Sequence, residues 1–455
     1  MDRNARSGQH QRRKALEGRA KSAEAIDFFN VLTSPELLEA TEALTPEHRE
    51  RMYPPTVTLS MFIRQTLDAD SSCQKAVNGW AAQCVACALK PGSTRTGGYC
   101  RARSRLPVSM VSGLARETGR QLHARALPRW RWRGRAVKLV DGSGISMPDT
   151  DENQARYPQP SSQAAGVGFP LARIVVVICL ATGAALDAAI GAHSGKGTGE
   201  LGLIRRLGAA LRAGDVMLAD ALYCNYFLIA SHVRAGVDVL FEQNGSRTTD
   251  FRRGQSLGTR DHIVHWPRPA RPEWITLEQY REFPKQLQMR ETKTDHQVLV
   301  TTMLDHRRTT KAELADLYAR RWNVELDLRN IKTTMGMEAL HCLTPEMNEK
   351  ELWVHLLAYN LIRLLMAQAA SNAGIDPRTL SFKDTSQLWT EWTARGQSAS
   401  PALFALIAQV KVGKRPNRIE PRQQKRRPKP FQWLKTSRKI ARDNITRFGH
   451  PRGPK

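Results

Sequence analysis

Acidic residues are scarce in this chain: 43 Asp and Glu stand against 69 Lys and Arg, a formal net charge of +26. Such an imbalance points to a polyanionic partner, because each phosphate neutralised by Lys or Arg releases condensed counterions. Cysteines are few and odd in number. The seven, Cys73, Cys84, Cys87, Cys100, Cys179, Cys224 and Cys342, are scattered, which excludes a secreted disulfide framework and places the protein in a reducing cytosol. The polar, Arg-rich stretch Met1 to Lys21 has no apolar core, so no secretory signal is expected. The one long apolar run, Ile174 to Ala192, contains Asp187 and a Thr182-Gly183 break. It reads as two buried strands and not as a membrane span. No internal repeat is visible, and His193, His341 and His355 lack the paired helical spacing of a catalytic or metal site. What is present is ample: 455 residues, 41% of them apolar, exclude a wholly disordered chain and suggest about three folding units.

Apolar periodicity predicts helices over Ala23 to Leu32, Glu36 to Leu44, Leu59 to Leu67 and Ser109 to Leu122, a helical N-terminal module over 1–130. From Ala136 the pattern changes. Strands are expected over Ala136 to Val140, Ile174 to Leu180 and Ala184 to Ile190, then a helix over Glu200 to Leu211 and a strand over Val216 to Ala219. A helix over Tyr223 to Ala235 and a strand over Val237 to Phe241 follow, the order of a mixed α/β domain. Residues 242–310 are polar and irregular, with Trp266, Trp274 and one clear strand at Gln297 to Met303. Two long helical patterns come next, Lys311 to Met335 and Glu351 to Ser371, the second within a C-terminal helical region over 346–410.

Two basic segments stand out. Residues 411–455 hold 16 Lys or Arg and only Glu420 and Asp443 as acids, more than half of the chain's excess charge. Such a composition cannot bury a core, so this tail reads as largely disordered and as a nucleic-acid-binding arm. Cations alternate with aromatics in Arg129-Trp130-Arg131-Trp132-Arg133. There guanidinium groups are placed to hold phosphates while indole faces meet sugars or bases; the alternative is a basic linker with Trp130 or Trp132 packed down.

Carboxylates that end strands are the candidates for chemistry. Asp141 follows the first strand and precedes Gly142-Ser143-Gly144, residues without bulk that leave room for a metal and a phosphate. Asp220 closes Val216 to Ala219 in the same way, whereas Asp215 lies at the opposite end of that strand. In the helix from Lys311, Thr310 and Glu313 make a capping box, and Leu314, Leu317, Val324, Leu328 and Ile331 form one apolar stripe. Tyr318, Arg321, Glu325 and Lys332 fall on one face within about 60° of arc. Asp327 points away. An ordinary i,i+4 ion pair, Arg321 with Glu325, is the plain reading of that ridge.

The spacing Tyr318, two residues, Arg321, three, Glu325, six, Lys332 resembles the Y-R-E-K signature of the DDE transposases of bacterial insertion sequences. The surroundings of Asp141-Gly142-Ser143 and Ala219-Asp220-Ala221, with Tyr226-Phe227, are similar to that family's two aspartate motifs. The likeness covers about 130–345 and is looser around Asp70 to Cys73 and Tyr99 to Arg103. One position departs: many members carry Arg after the second aspartate, where this chain has Ala221. The resemblance implies an RNase H-like mixed sheet over 131–345 with a β-rich insertion at about 242–310. It implies Asp141, Asp220 and Glu325 as catalytic ligands of two Mg²⁺ ions, with Mn²⁺ as substitute, roughly 3.5–4 Å apart. Arg321 and Lys332 would contact phosphates, with Tyr318 beside them. The implied partners are terminal inverted repeats and target DNA, bound by a homodimer in the bacterial cytoplasm at the nucleoid, with no membrane. A tryptophan of the insertion, Trp266 or Trp274, would stack on an extruded base, or else serve as core.

Other signals are weaker. Cys84 and Cys87 have the gap of a metal-binding pair but lack a second pair, so buried thiols are expected. Gly195-Lys196-Gly197-Thr198 lacks the first glycine and the Ser or Thr position of a phosphate loop. Two alternatives to the transposase reading are a transposase-derived DNA-binding protein without catalysis and a nuclease without strand transfer.

Overall fold

The computed structural model describes residues 35–46, 52–86, 88, 90–295, 297–395, 397, 399–413, 434 and 436–449. The helix expected over Ala23 to Leu32 and Cys87 lie outside them, as do 414–433 and 450–455 of the tail. Five helices come first: α1 (Pro35–Leu44), α2 (Pro55–Leu67), α3 (Cys73–Ala86), α4 (Gly97–Arg105) and α5 (Val108–Ala124). Pro55 opens α2 where a missing N–H costs nothing. Met110, Val111, Leu114 and Leu122 form the buried stripe of α5 and share one core with the sheet that follows.

That sheet begins with β1 (Val137–Ser146), helix α6 (Asp151–Arg156), β2 (Leu171–Cys179) and β3 (Ala185–Ala192). Helix α7 (Glu200–Ile204) runs into a tighter 3₁₀ stretch, Arg205–Ala210, in place of the single helix expected there. Then come β4 (Val216–Ala219), α8 (Tyr226–Arg234) and β5 (Asp238–Glu242). The apolar run Ile174 to Ala192 is the expected strand pair. It turns at Gly183, whose φ of +79° suits glycine and where a Cβ would stand 2.7 Å from Arg363 Nε.

The segment read as irregular is in fact ordered by strand pairing. β6 (Gln255–Gly258), β7 (Asp261–Pro267), helix α9 (Leu277–Glu282), β8 (Gln286–Lys293) and β9 (Val298–Thr301) extend the same sheet, in the order β3-β2-β1-β4-β5-β9-β8-β7-β6. β1 pairs parallel with β4, and β4 with β5; the remaining pairs are antiparallel. Alternate residues serve opposite cores. Leu139, Ile174, Val176, Ile178 and Leu218 face α5, whereas Val140, Val175, Val177, Met217 and Val239 face α7 and α8.

Two boundaries differ from expectation in ways that matter for the carboxylates. β1 does not end at Val140: it pairs with β2 from Lys138↔Cys179 to Ser146↔Leu171, so Asp141 sits within a strand. Its parallel pairing with β4 stops at Leu139↔Leu218, and beyond that point the two strands part. The long helix expected over 311–335 is also broken, into α10 (Lys311–Ala319), α11 (Trp322–Arg329) and a wide π turn, Asn330–Thr334. Backbone bonds three residues apart, Arg321 N–H to Tyr318 O at 2.9 Å and Val324 N–H to Arg321 O at 3.0 Å, overwind the chain at the break. The π turn then underwinds it, partly restoring the phase.

Helix α12 (Pro345–Asn372) runs through the core, followed by α13 (Phe382–Ala394) and α14 (Pro401–Gln409). Among the described residues α12 alone is long and apolar enough to cross a membrane, and 89% of its apolar window is buried in the protein. The basic tail is not structureless throughout. Its residues Arg438–Phe448 form helix α15, attached through Arg438 Nη1 to Asp149 Oδ2 at 2.6 Å and by Arg438 lying over the Phe169 ring.

Asp327 of α11 is wholly buried between two guanidinium groups. Arg378 donates to both of its oxygens, at 2.8 and 2.7 Å, and Arg363 of α12 pairs with Oδ1. Arg378 also donates to Cys179 O and Leu180 O, at 2.9 and 2.7 Å. One carboxylate thus ties α11 to α12 and to the end of β2. Asp327→Ala leaves two buried cations uncompensated and should cost about 3–5 kcal/mol. The midpoint of denaturant unfolding reads this directly; a loss below about 1 kcal/mol would contradict a structural clamp.

Candidate catalytic centre

Asp141 and Asp220 leave adjacent strands at the point where those strands part. Asp141 accepts the N–H of Gly142 on Oδ1 at 2.7 Å. Burial, and after it the charges of Asp220 and Glu200, push its carboxyl up to about 7, against the opposing effects of the Gly142 bond and Arg321. Asp220 starts a 3₁₀ turn, Ala221–Tyr223, by accepting the N–H of Leu222 at 2.9 Å. The two carboxylates are thus within electrostatic reach of each other.

The third expected acid, Glu325, stands in the first turn of α11 and accepts Arg321 Nη2–H at 3.0 Å. That same guanidinium acts on Asp141. It lies 5.9 Å from the centre of the Tyr318 ring, and Tyr318 is buried with its O–H donating to Glu242 Oε2 at 3.2 Å. Burial first, then Glu242, holds the Tyr318 phenol protonated far above neutrality. At the far end of the ridge Lys332 Nζ donates to Ser143 Oγ at 2.9 Å, joining the π turn to β1 two residues beyond Asp141. Despite the break in their helix, Arg321 acts on Asp141, Tyr318 feels the charge of Asp220, and Lys332 reaches β1 beside Asp141, while Glu325 is joined to this group through Arg321.

Among the described residues no three His, Cys, Asp or Glu stand close enough to share one metal ion. The cation of the centre is Arg321, which occupies Glu325. The donor set nevertheless suits a hard divalent ion, being made of carboxylates with neither thiolate nor imidazole.

Three participants were not singled out in the sequence. Glu242 ends β5 as Asp220 ends β4, and this repeated position was the available signal. Glu200 follows the glycine-rich segment and accepts Tyr223 O–H on Oε2 at 3.0 Å. Neither Glu200 nor Tyr223 belongs to a recognisable pattern.

The basic-aromatic segment needs correction. Trp130 and Trp132 are each 8% exposed and lie in the main core, and the Trp130 indole N–H donates to Ile375 O at 2.9 Å. Their faces are not open to a nucleic acid, because burying an indole here removes more apolar surface from water than any other use of this short linker. Arg129 and Arg133 remain at the surface and Arg131 half-buried; Arg133 pairs with Glu313. Trp266 is core as well: it is 2% exposed, donates to Glu291 Oε1 at 2.7 Å and is covered by Arg247. Trp274 is 47% exposed beneath Arg205, whose Cζ stands 3.9 Å from the ring centre. Cys84 is a buried thiol.

The elevated Asp141 carboxyl fixes a pH dependence. Neutral Asp141 suits the fold, so the stability it contributes is full below the unfolded carboxyl range near 4 and is lost as pH rises towards 7. In chelator-treated protein, Asp141→Asn should therefore melt above the parent at pH 8, and the gap should close as pH falls to 4. Parallel melting curves at all pH values would contradict the assignment.

A family model described as the transposase DDE domain matches residues 132–361. The chain is 30% identical over 344 residues to the transposase InsG for insertion sequence element IS4 of Escherichia coli (strain K12), covering 72% of this chain and 76% of that one. Among solved structures, piggyBac transposase in a synaptic complex with hairpin DNA aligns with a TM-score of 0.42 at 11% identity, over 86% of this chain and 85% of that one. With half of its length matched by the family model and a longer stretch aligned to an insertion-sequence transposase, the chain belongs to the DDE transposases of insertion sequences.

Proposed function

We propose that this transposase cuts DNA at the ends of its element with Mg²⁺ and then joins the freed ends to target DNA. Asp141, Asp220 and Glu325 would hold the ions, and Mn²⁺ would substitute. The observation that carries this reading is that Asp220 and Arg321 both act on Asp141 where the β1–β4 pairing ends, with Glu325 bonded to that same Arg321. The order β3-β2-β1-β4-β5, with two parallel pairs beside an antiparallel hairpin, supports an RNase H-like core carrying the later strands as an insertion.

When bound, the divalent ions supply Lewis acidity to the attacking and leaving oxygens of an in-line displacement. The chain's own groups do the rest. Asp141 gives up its proton, and Arg321 leaves Glu325 for a phosphate oxygen next to the scissile bond. Lys332, already fixed beside β1 by Ser143, contacts a second phosphate. Tyr318 stays protonated and supports Arg321 through its ring. Water attacks phosphorus first and breaks its bond to the 3′-oxygen, leaving a 5′-phosphate and a 3′-hydroxyl. That hydroxyl then attacks a target phosphodiester, forming a new P–O bond as the target's own 3′-oxygen leaves and takes up a proton. Arg129, Arg131 and Arg133, with the basic tail, add sequence-independent contacts to the DNA backbone. A homodimer on paired ends, in the nucleoid of a bacterial cytoplasm, is the assembly this reading requires.

Glu325→Gln should abolish Mg²⁺-dependent cleavage of end-containing DNA while leaving its binding nearly intact, as read by gel cleavage and mobility-shift assays on one preparation. Retained cleavage removes Glu325 from the centre. Lys332→Ala should weaken binding evenly across sequences and lower the slope of log affinity against log salt by about 1. An unchanged slope would argue against a phosphate contact.

A further inference from the structure

Asp141 and Asp220 are not joined to each other by the backbone ladder. Their strands pair directly only as far as Leu139↔Leu218, two residues short of each acid, while Asp141 stays paired with β2 and Asp220 follows a residue paired with β5. A side-chain bridge spans this gap. Glu200, the first residue of α7, lies against the backbone of Gly142, where a Cβ would stand 2.2 Å from its Cδ and 2.4 Å from its Oε2. Only a residue without a side chain at 142 admits a carboxylate that close. On its other side Glu200 Oε2 accepts the O–H of Tyr223, at 3.0 Å. Tyr223 is fully buried and is the last residue of the turn that Asp220 caps. The chain of contacts is therefore Asp141-Gly142, Glu200, Tyr223 and the turn of Asp220. Arg173 holds the remaining oxygen loosely, its Nε 3.9 Å from Glu200 Oε1.

We infer that Glu200 and Tyr223 are positioning residues of the catalytic centre, whose hydrogen bond fixes the spacing of Asp141 and Asp220 at which both can hold the divalent ion. Two carboxylates share an ion only within a narrow separation, and outer groups that orient ligands govern affinity nearly as strongly as the ligands do. The inference rests on the metal-binding reading given above and adds to it two residues outside the signature.

The test is Mn²⁺ binding to the full-length, metal-stripped protein, followed by the loss of the free-ion electron paramagnetic resonance signal, together with metal-free melting temperatures. Glu200→Ala and Tyr223→Phe should each weaken Mn²⁺ binding about tenfold or more. Glu200→Gln, whose amide oxygen still accepts from Tyr223, should recover most of that affinity. Unchanged binding in both of the first two variants overturns the inference. So does a lowered metal-free melting temperature with unaltered affinity, the mark of a purely structural contact, and so does a Gln variant as weak as Ala, which would make charge and not the hydrogen bond the active feature. If Glu200→Ala does not fold, Tyr223→Phe carries the same test. Asp141→Asn separates the two levels of the argument: parental Mn²⁺ affinity in that variant removes the metal centre itself, whatever the bridge does.

Discussion

A single buried carboxylate, Asp327, holds helix α11 in place. It accepts from Arg378 and pairs with Arg363, and through them it links α11, α12 and the end of β2. Removing three charged groups from water is expensive, and the arrangement is tolerated because each guanidinium also meets neutral acceptors: the Tyr359 hydroxyl for Arg363, the Cys179 and Leu180 carbonyls for Arg378. The result is directional. A purely apolar seam would let α11 slide, whereas a carboxylate fixed between two forks sets its height and rotation. Glu325, two residues earlier on the same helix, inherits that setting and meets Arg321, the guanidinium that acts on Asp141.

The centre itself has the opposite electrostatic character. Burial, and after it the charges of Asp220 and Glu200, lets Asp141 keep its proton to about 7, with Arg321 as the opposing cation. Repulsion among carboxylates is a cost that folding alone would not retain, and a bound cation relieves it. The clamp at Asp327 and the crowded acids at Asp141 are complementary. Rigid neutralised charge behind the helix allows uncompensated charge in front of it.

Much of this was legible in order along the chain. The β-branched run of β2, the short apolar run of β4 and the capping box at Thr310 and Glu313 each follow from local pattern, which the fold preserved. Where the reading failed, a long-range contact had overridden a local cue. The glycines after Asp141 looked like a strand end, but pairing with β2 carries β1 through them to Ser146. In the stretch before residue 310, periodicity alone missed strands that the family resemblance had implied as a β-rich insertion, because they pair with one another at the edge of the sheet and need no apolar run. Trp130 and Trp132 looked like a stacking platform, yet the core claimed them.

The sequence alone determined the chemical types and their spacing: which acids follow apolar β-rich runs, which cations stand at fixed intervals from Glu325, and where the excess positive charge lies. Those are properties of residue identity and of periods of 2 and 3.6, and they need no partner far along the chain. Only the tertiary structure decided which acids meet. Glu200 came to lie beside Asp141 and Glu242 beside Tyr318, and the tryptophans of the linker went into the core. Such outcomes depend on packing between segments far apart along the chain, and no local pattern encodes them.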